Sequence, residues 1–311
     1  MATSQGNYVT THGDLGQSIK EDVVLNAVEI LTARETQVMN MLPKRKAIST
    51  VHSYLQDTLR TAASLAVSEE ADYAPAGATT PSRKTNVNTH VVAAVKVSGL
   101  QRAVDHYQGQ DELERQTRKA LMDFGNAFEF DLVRSTLVSG VSGTAGKMEG
   151  IITHISRSTN TTAHTSGTTF NATHLEGLMK ANWENSNGDT ATDVLMSAGI
   201  RNKLDQATQK SNVVVNQANG ITDIVKMTST YTTAFGKVQV HTHRYVLQST
   251  DATDRILGIN RNKLAVAWLR MPFIDSNVAR SGDYEIRAVI GDGTVECHNE
   301  NSNFFSYGFL K

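Results

Sequence analysis

QDELERQTRKALMDFGNAFEFDLVRSTLVS, residues 110–139, carries the clearest helical period in this chain. Leu113, Ala120, Leu121, Phe124, Phe128, Leu132 and Ser135 fall on one stripe at helical spacing. Glu114 with Arg118, and Asp111 with Arg115, are spaced to pair four apart on the opposite side. Thirty residues at about 1.5 Å each predict a rod of roughly 45 Å. Gly140, Gly143 and Gly146 then stop it.

Upstream of the rod, VNTHVVAAVKVS (87–98) alternates strictly, with Val87, Thr89, Val91, Ala93, Val95 and Val97 on one face of a strand. AISTVHSYLQDT (47–58) reads as its partner. Between them lies SEEADYAPAGATTPSRKTN, which is polar and holds two of the chain's four prolines. An isolated two-stranded arm is marginal in water, so the reading requires something else to cover it. Further upstream, Val23, Val24, Ala27, Ile30 and Leu31 predict an amphipathic helix within 19–41, ended by Pro43 and the basic cluster Lys44, Arg45 and Lys46. Residues 1–18 have no period and read as an extended arm.

Downstream, 156–169 is rich in Thr and Ser and reads as a loop. Thr173 and Glu176 form a T-x-x-E box opening a helix through Trp183. A strand at 193–197 leads into a helix at 198–208, with Ser197 as its cap. Strands are expected at 212–216, 221–228, 236–247 and 254–259, and long ones again from Leu264. The order of elements is that of an α+β protein.

Thirty basic residues against thirty-one acidic leave a net charge of −1. That argues against a dedicated nucleic-acid binder, which needs a basic excess to displace counterions. The single cysteine, Cys297, excludes an internal disulfide and a multi-cysteine metal cage. The opening MATSQGNYVTTHGDLGQ reads without a secretory signal, and no apolar run approaches the roughly 20 residues a membrane span needs.

Motifs with chemistry are few. His241 and His243 in KVQVHTHRYV (237–246) sit two apart on a strand and could share a metal ion. The acidic ligand a cupin-type site needs is missing, since Val246, Leu247 and Gln248 follow. The plainer reading is two polar positions on a half-exposed strand. VSGTAGKM (141–148) nearly spells a phosphate-binding loop, but Val141 and Met148 replace the first glycine and the final hydroxyl residue. Glu69, Glu70 and Asp72 lie in the polar loop, where nothing would raise a carboxyl pKa for acid–base work. Nothing in the sequence looks catalytic, and no cofactor is implied.

The order of parts resembles the major capsid protein of tailed phages, with its Hong Kong 97-type fold, and in detail the SU-ten-like major head protein family. The likeness is carried by TARETQVMNMLPKRKAISTVHSYLQDTL (32–59), VKVSGLQRAVDHYQG (95–109), LERQTRKALMDFGNAFEFDLV (113–133), AFGKVQVHTHRYV (234–246) and LAVAWLRMPFIDSNVARSGDYEIRAVIGDGTVECHNENS (264–302). Gln37 departs from it, standing where a proline commonly follows Glu-Thr.

The resemblance implies an N-terminal arm at 1–45 and an extended loop at 46–98. It implies a peripheral domain with a spine helix at 99–170, completed by C-terminal strands at 263–311, and an axial domain at 171–262. The implied function is self-assembly into hexamers and pentamers that form an icosahedral shell around packaged double-stranded DNA. Implied partners are further copies of the chain, a portal, decoration or scaffolding proteins, and DNA touched non-specifically on the inner face, with no membrane. Val87, Val91, Val95 and Val97, with Arg102, Arg118 and Arg280, are the expected intersubunit contacts. Two other readings compete: a metal-dependent enzyme using His241 and His243, and a Thr/Ser/Asn-rich surface binding module.

Overall fold

A computed structural model of the chain describes residues 36–58, 64, 66–70, 72, 79–103, 111–211, 215–216, 223–224, 229–247, 250–279 and 281–311. The expected helix of 19–41 is therefore seen only as α1, Gln37–Met41. Gln37 is its first helical residue, a position that tolerates proline, so the departure noted above leaves the helix in place.

The rod is α2–α3. A single turn, α2 (Gly99–Ala103), precedes α3 (Glu112–Arg134), which at 23 residues is about 34 Å long and shorter than expected. Asp111 starts α3 by accepting the Leu113 N–H at 3.1 Å, and acidic Glu112 and Glu114 occupy its first turn. Asp111 also pairs with Arg102, so Arg115 turns to Glu112 instead of to Asp111. The helix ends before the glycines because Val138 pairs with Lys147 and Val141 with Thr144 in a small antiparallel turn. The near phosphate-binding motif is that turn. Of the expected stripe, Leu121 alone faces out, about 100° round from Ala120.

The alternating stretch forms two strands, β3 (Ser82–Val87) and β4 (Thr89–Ser98). β3 pairs antiparallel with β2 (Val51–Gln56), Val51 opposite Val87 and Gln56 opposite Ser82. The basic cluster is itself a strand, β1 (Lys44–Lys46), lying parallel on Val266–Trp268 of β12 (Leu264–Asp275). With β13 (Tyr284–Cys297) these make a four-stranded sheet in the order β1-β12-β13-β4.

A second, mixed sheet has six strands. The 156–169 segment, expected as a loop, supplies α4 (Ile151–Ser156) in part and then β5 (Thr161–Thr168). Then come α5 (Ala172–Asn185), β6 (Asp193–Met196) and α6 (Ala198–Ser211). Short strands β7 (Val215–Asn216) and β8 (Asp223–Ile224) pair with each other. β9 (Thr230–Thr233), β10 (Gly236–Thr242), β11 (Asp254–Ile259) and, after a 3-10 turn, β14 (Phe304–Phe309) complete the set. The sheet order is β5-β14-β11-β6-β10-β9, so one sheet draws strands from both sides of the expected boundaries at 171 and 262. The reason is pairing: β14 lies antiparallel to β11 and parallel to β5.

Caps differ from expectation too. The box that opens α5 is Asn171 with His174, two residues earlier than Thr173 and Glu176. The Ser197 hydroxyl has no partner and does not cap α6.

The described residues fall into two units by contact. One comprises those within Ala93–Asp123 and Ile274–Val289. In it Arg102 bridges Glu285 and Asp111, and the Lys96 ammonium lies 3.7 Å over the Tyr284 ring. The other comprises the rest. Its six-stranded sheet buries Leu175, Leu178, Val194, Met196, Ile200, Val238 and Phe304 in one core. Beside Phe304, Gly258 has no space for a side chain, since a Cβ there would stand 2.2 Å from the ring. In the same unit Phe128 stacks on Trp268 at 4.4 Å, above Gly293, whose bare backbone lets both rings lie flat on β13.

Candidate assembly interface

The hairpin β2–β3 has two faces of different chemistry. His52, Tyr54 and Asn86 point inward and are buried, while Val51 and Leu55 point out, at 49 % and 65 % exposure, and Ile48, just before β2, is 90 % exposed. The inner face is bound to the chain's own body, not left bare as the sequence suggested. Asn86 donates to the Val295 and Glu149 carbonyls at 2.9 and 3.2 Å and accepts the Glu149 N–H at 2.8 Å. Tyr54 accepts the Cys297 N–H, and Gln56 donates to the Cys297 carbonyl at 2.7 Å. The buried Glu296 carboxylate takes His52 at 2.6 Å on one oxygen and Arg45 and His298 at 3.0 Å on the other. Polar side chains are used for this because the hairpin meets strand ends, whose backbone groups need partners.

Burial sets the charge states here. His154, packed against Asn86, is held down to about 4 by burial, with Arg157 and Lys84 adding to the effect. Burial raises the Glu149 carboxyl, pushes the Cys297 thiol up to about 12, and raises the Tyr54 phenol. A thiol so placed is inert.

A second exposed apolar run lies on β12. Leu264 to Trp268 are all buried, whereas Met271, Phe273 and Ile274 are exposed. Val67 and Leu100 are also bare. Exposed apolar side chains gathered on one segment, as at Met271, Phe273 and Ile274, are the kind of surface that a protein contact uses.

The expected contact residues are placed differently. The valine alternation on β4 is present, but that face is the inner one: Val97 is 3 % exposed and belongs to the chain's own core. Val91 and Val95 are half-buried on the same side, and Val92, Ala94 and Lys96 face out, while Val87, at the end of β3, is half-buried opposite the outward Val51. Arg102 is engaged by Glu285 and Asp111, and Arg118 by Glu114. Arg280 lies outside the described residues.

The two histidines part company. His241 contacts Asp193 at 3.0 Å, an acid shared with Arg261. His243 lies past the end of β10, fully buried, with its Nε2–H 3.0 Å from Glu129. It is not the half-exposed position expected. The same Glu129 carboxylate accepts the Val38 and Met39 N–H groups at 2.6 and 2.9 Å, tying α1 to α3. Among the described residues no three metal-ligating side chains converge. A recess of about 410 Å³ beside His241 is lined by Gln37, Arg201, Ser229, Thr230, Gln239 and Thr242, with no carboxylate or thiol among its lining. Glu69, Glu70 and Asp72 are exposed. Sequence reading missed Glu129 and Glu296 because their partners lie about 90 to 250 positions away.

Comparison with known proteins identifies the family and the fold. A family model described as SU10 major capsid protein matches residues 4–306. Among solved structures, the capsid of the native GTA particle superposes with a TM-score of 0.65 at 12 % identity, covering 96 % of this chain and 98 % of that one. The holo-SrpI encapsulin complex of Synechococcus elongatus gives 0.60 at 9 %, covering 94 % and 95 %. The capsid of Myoviridae phage XM1 gives 0.58 at 11 %, covering 95 % and 98 %. No curated protein matches.

Proposed function

The chain belongs to the SU10 major capsid protein family, and from that premise we propose that one subunit holds the next through the outward hairpin face and the exposed end of β12. It has the Hong Kong 97-type capsid fold, and its function is to form the capsid shell of a tailed-phage virion. Its role is structural.

In our reading, residues 1–45 are the arm, and 46–98 the extended loop that lies across a neighbour. The spine helix α3 and the four-stranded sheet form the peripheral lobe. The axial lobe is the six-stranded sheet, which adds β5 and β14 to 171–262. Subunits close into hexamers and pentamers around double-stranded DNA, which meets the inner face without sequence preference. A portal replaces subunits at one opening, and scaffolding or decoration proteins act on the same lattice. The subunit has no catalytic activity.

One observation carries this reading: Val51 and Leu55, with Ile48 just before them, are bare on the side of a hairpin whose other face is bonded to the subunit's own body. Interfaces that persist bury on the order of 2,000–5,000 Å² and are apolar at their centre. An arm and a loop spread that area over several neighbours, so single contacts stay reversible until the shell closes. A net charge of −1 suits close packing of many copies.

The test is to express the chain and a variant in which residues 60–78 are replaced by a short Gly-Ser linker. That deletion spares β2 and β3 and their register. Sedimentation and negative-stain microscopy should show closed shells for the parent and folded, unassembled subunits for the variant. Normal shells from the variant, or a monomeric parent carrying one equivalent of zinc, would overturn the reading.

A further inference from the structure

The loop's direction is set inside the subunit. We propose that Glu296 is a positioning residue: its buried carboxylate latches the root of the hairpin so that β2 and β3 leave each copy at one fixed angle, before any neighbour is met. The proposal rests on the capsid reading above and adds a regulator of shell geometry to it.

The observations are these. Glu296 is 3 % exposed, near the end of β13, and both its oxygens are occupied. His52 Nε2–H reaches Oε1 at 2.6 Å from β2. Arg45 and His298 reach Oε2 at 3.0 Å, from β1 and from the residue following β13. One carboxylate thus joins the strand that precedes the hairpin, the hairpin itself and the sheet beneath. Other groups facing the joint are Tyr54, whose ring meets His298 edge-on at 5.2 Å, and Lys84, which pairs with Glu300 at 3.6 Å. A buried carboxylate held on both oxygens, by His52 and by Arg45, is strongly directional, because each lost donor leaves charge uncompensated out of water, and His298 Nε2 packs 2.8 Å from the same Arg45 guanidinium.

A joint of this kind does something that apolar packing does not. Apolar contact tolerates sliding and rotation, whereas hydrogen bonds to both carboxylate oxygens fix orientation. The angle at which each loop reaches its neighbour sets the angle between subunits, and hence shell curvature. A loosened joint should therefore change particle size before it changes subunit stability.

Four proteins decide it: the parent, Glu296→Ala, Glu296→Gln and Arg45→Gln, the last half-exposed and safe to fold. Amide hydrogen exchange of unassembled subunits is read over 51–56 and 82–87, with β6 and β11 as an internal reference. Particle diameters are read by electron microscopy. In Glu296→Ala, exchange in the two hairpin strands should rise at least tenfold with the reference unchanged, and particles should spread in diameter or fail to close. Glu296→Gln, which keeps one acceptor, and Arg45→Gln should fall between it and the parent. If hairpin exchange stays at the parent level in all three, or rises while particles keep the parent diameter and yield, the latch is refuted. Failure of the parent itself to form shells would instead remove the capsid reading on which the latch depends.

Discussion

The six-stranded sheet and the hairpin are both made of short strands, yet they place apolar side chains in opposite directions. In β6 all four residues are buried, and β11 buries Ile256, Leu257 and Ile259. In β2 the inward positions are His52 and Tyr54, and the apolar Val51 and Leu55 face water. A strand folding for its own chain puts carbon inside and polar atoms out. β2 inverts that rule, and the inversion is stable because its inward polar groups are all bonded. The sheet buries its apolar side chains within one molecule, while in the reading proposed above the hairpin's outward carbon meets another copy.

The comparison breaks most easily in the sheet. Phe304→Ala should lower subunit stability by about 3–5 kcal/mol, read by thermal or denaturant unfolding, because it empties the centre of the core. A loss under about 1 kcal/mol would mean that the sheet is not the subunit's stabilising centre.

The joint between α1 and α3 comes next. His243→Ala removes a buried partner of Glu129 and should cost about 2–4 kcal/mol, whereas His241→Ala, on a partly exposed side chain, should cost under about 1 kcal/mol. Equal losses from the two would contradict the environments described. The sequence alone reads both as polar positions on a half-exposed strand. It could not show that residue 243 lies past the strand's end, where alternation no longer decides which way a side chain points.

A smaller effect is pH-dependent. His154 titrates at about 4 in the fold and near 6.5 when unfolded. As pH falls below 6.5 the unfolded chain takes the proton first, so stability is lost between about pH 6.5 and pH 4 and then levels. The full loss is up to about 3 kcal/mol. Glu149, raised by burial, acts in the opposite sense as it becomes protonated and offsets part of this. The clean measurement is the difference between parent and His154→Gln unfolding from pH 7 to pH 4. The parent should lose the advantage as pH falls; a constant difference would show that His154 is not held neutral.

How much of this was legible follows from the range of each signal. α3 was readable because Phe124, Phe128 and Leu132 repeat with the helix period within one segment. Its end was not, since the turn at 138–147 depends on pairing across the glycines. The alternation of β4 was also readable, but which side was already occupied was not: period reports that a face is apolar, never what lies against it. β5, TTAHTSGT, escaped notice because a polar sheet-edge strand has no apolar period. Glu129 and Glu296 left no local trace, as each acquires its meaning from partners in distant segments.

The smallest expected effect on the subunit carries the most weight for its function. In Ile48→Ser with Leu55→Ser, two side chains that touch mainly water are made polar. The subunit's melting temperature should stay within about 2 °C of the parent's, while sedimentation and electron microscopy find no closed shells. Shells of parent size and yield from this double variant would contradict the claim that the hairpin's outward face exists for sister copies.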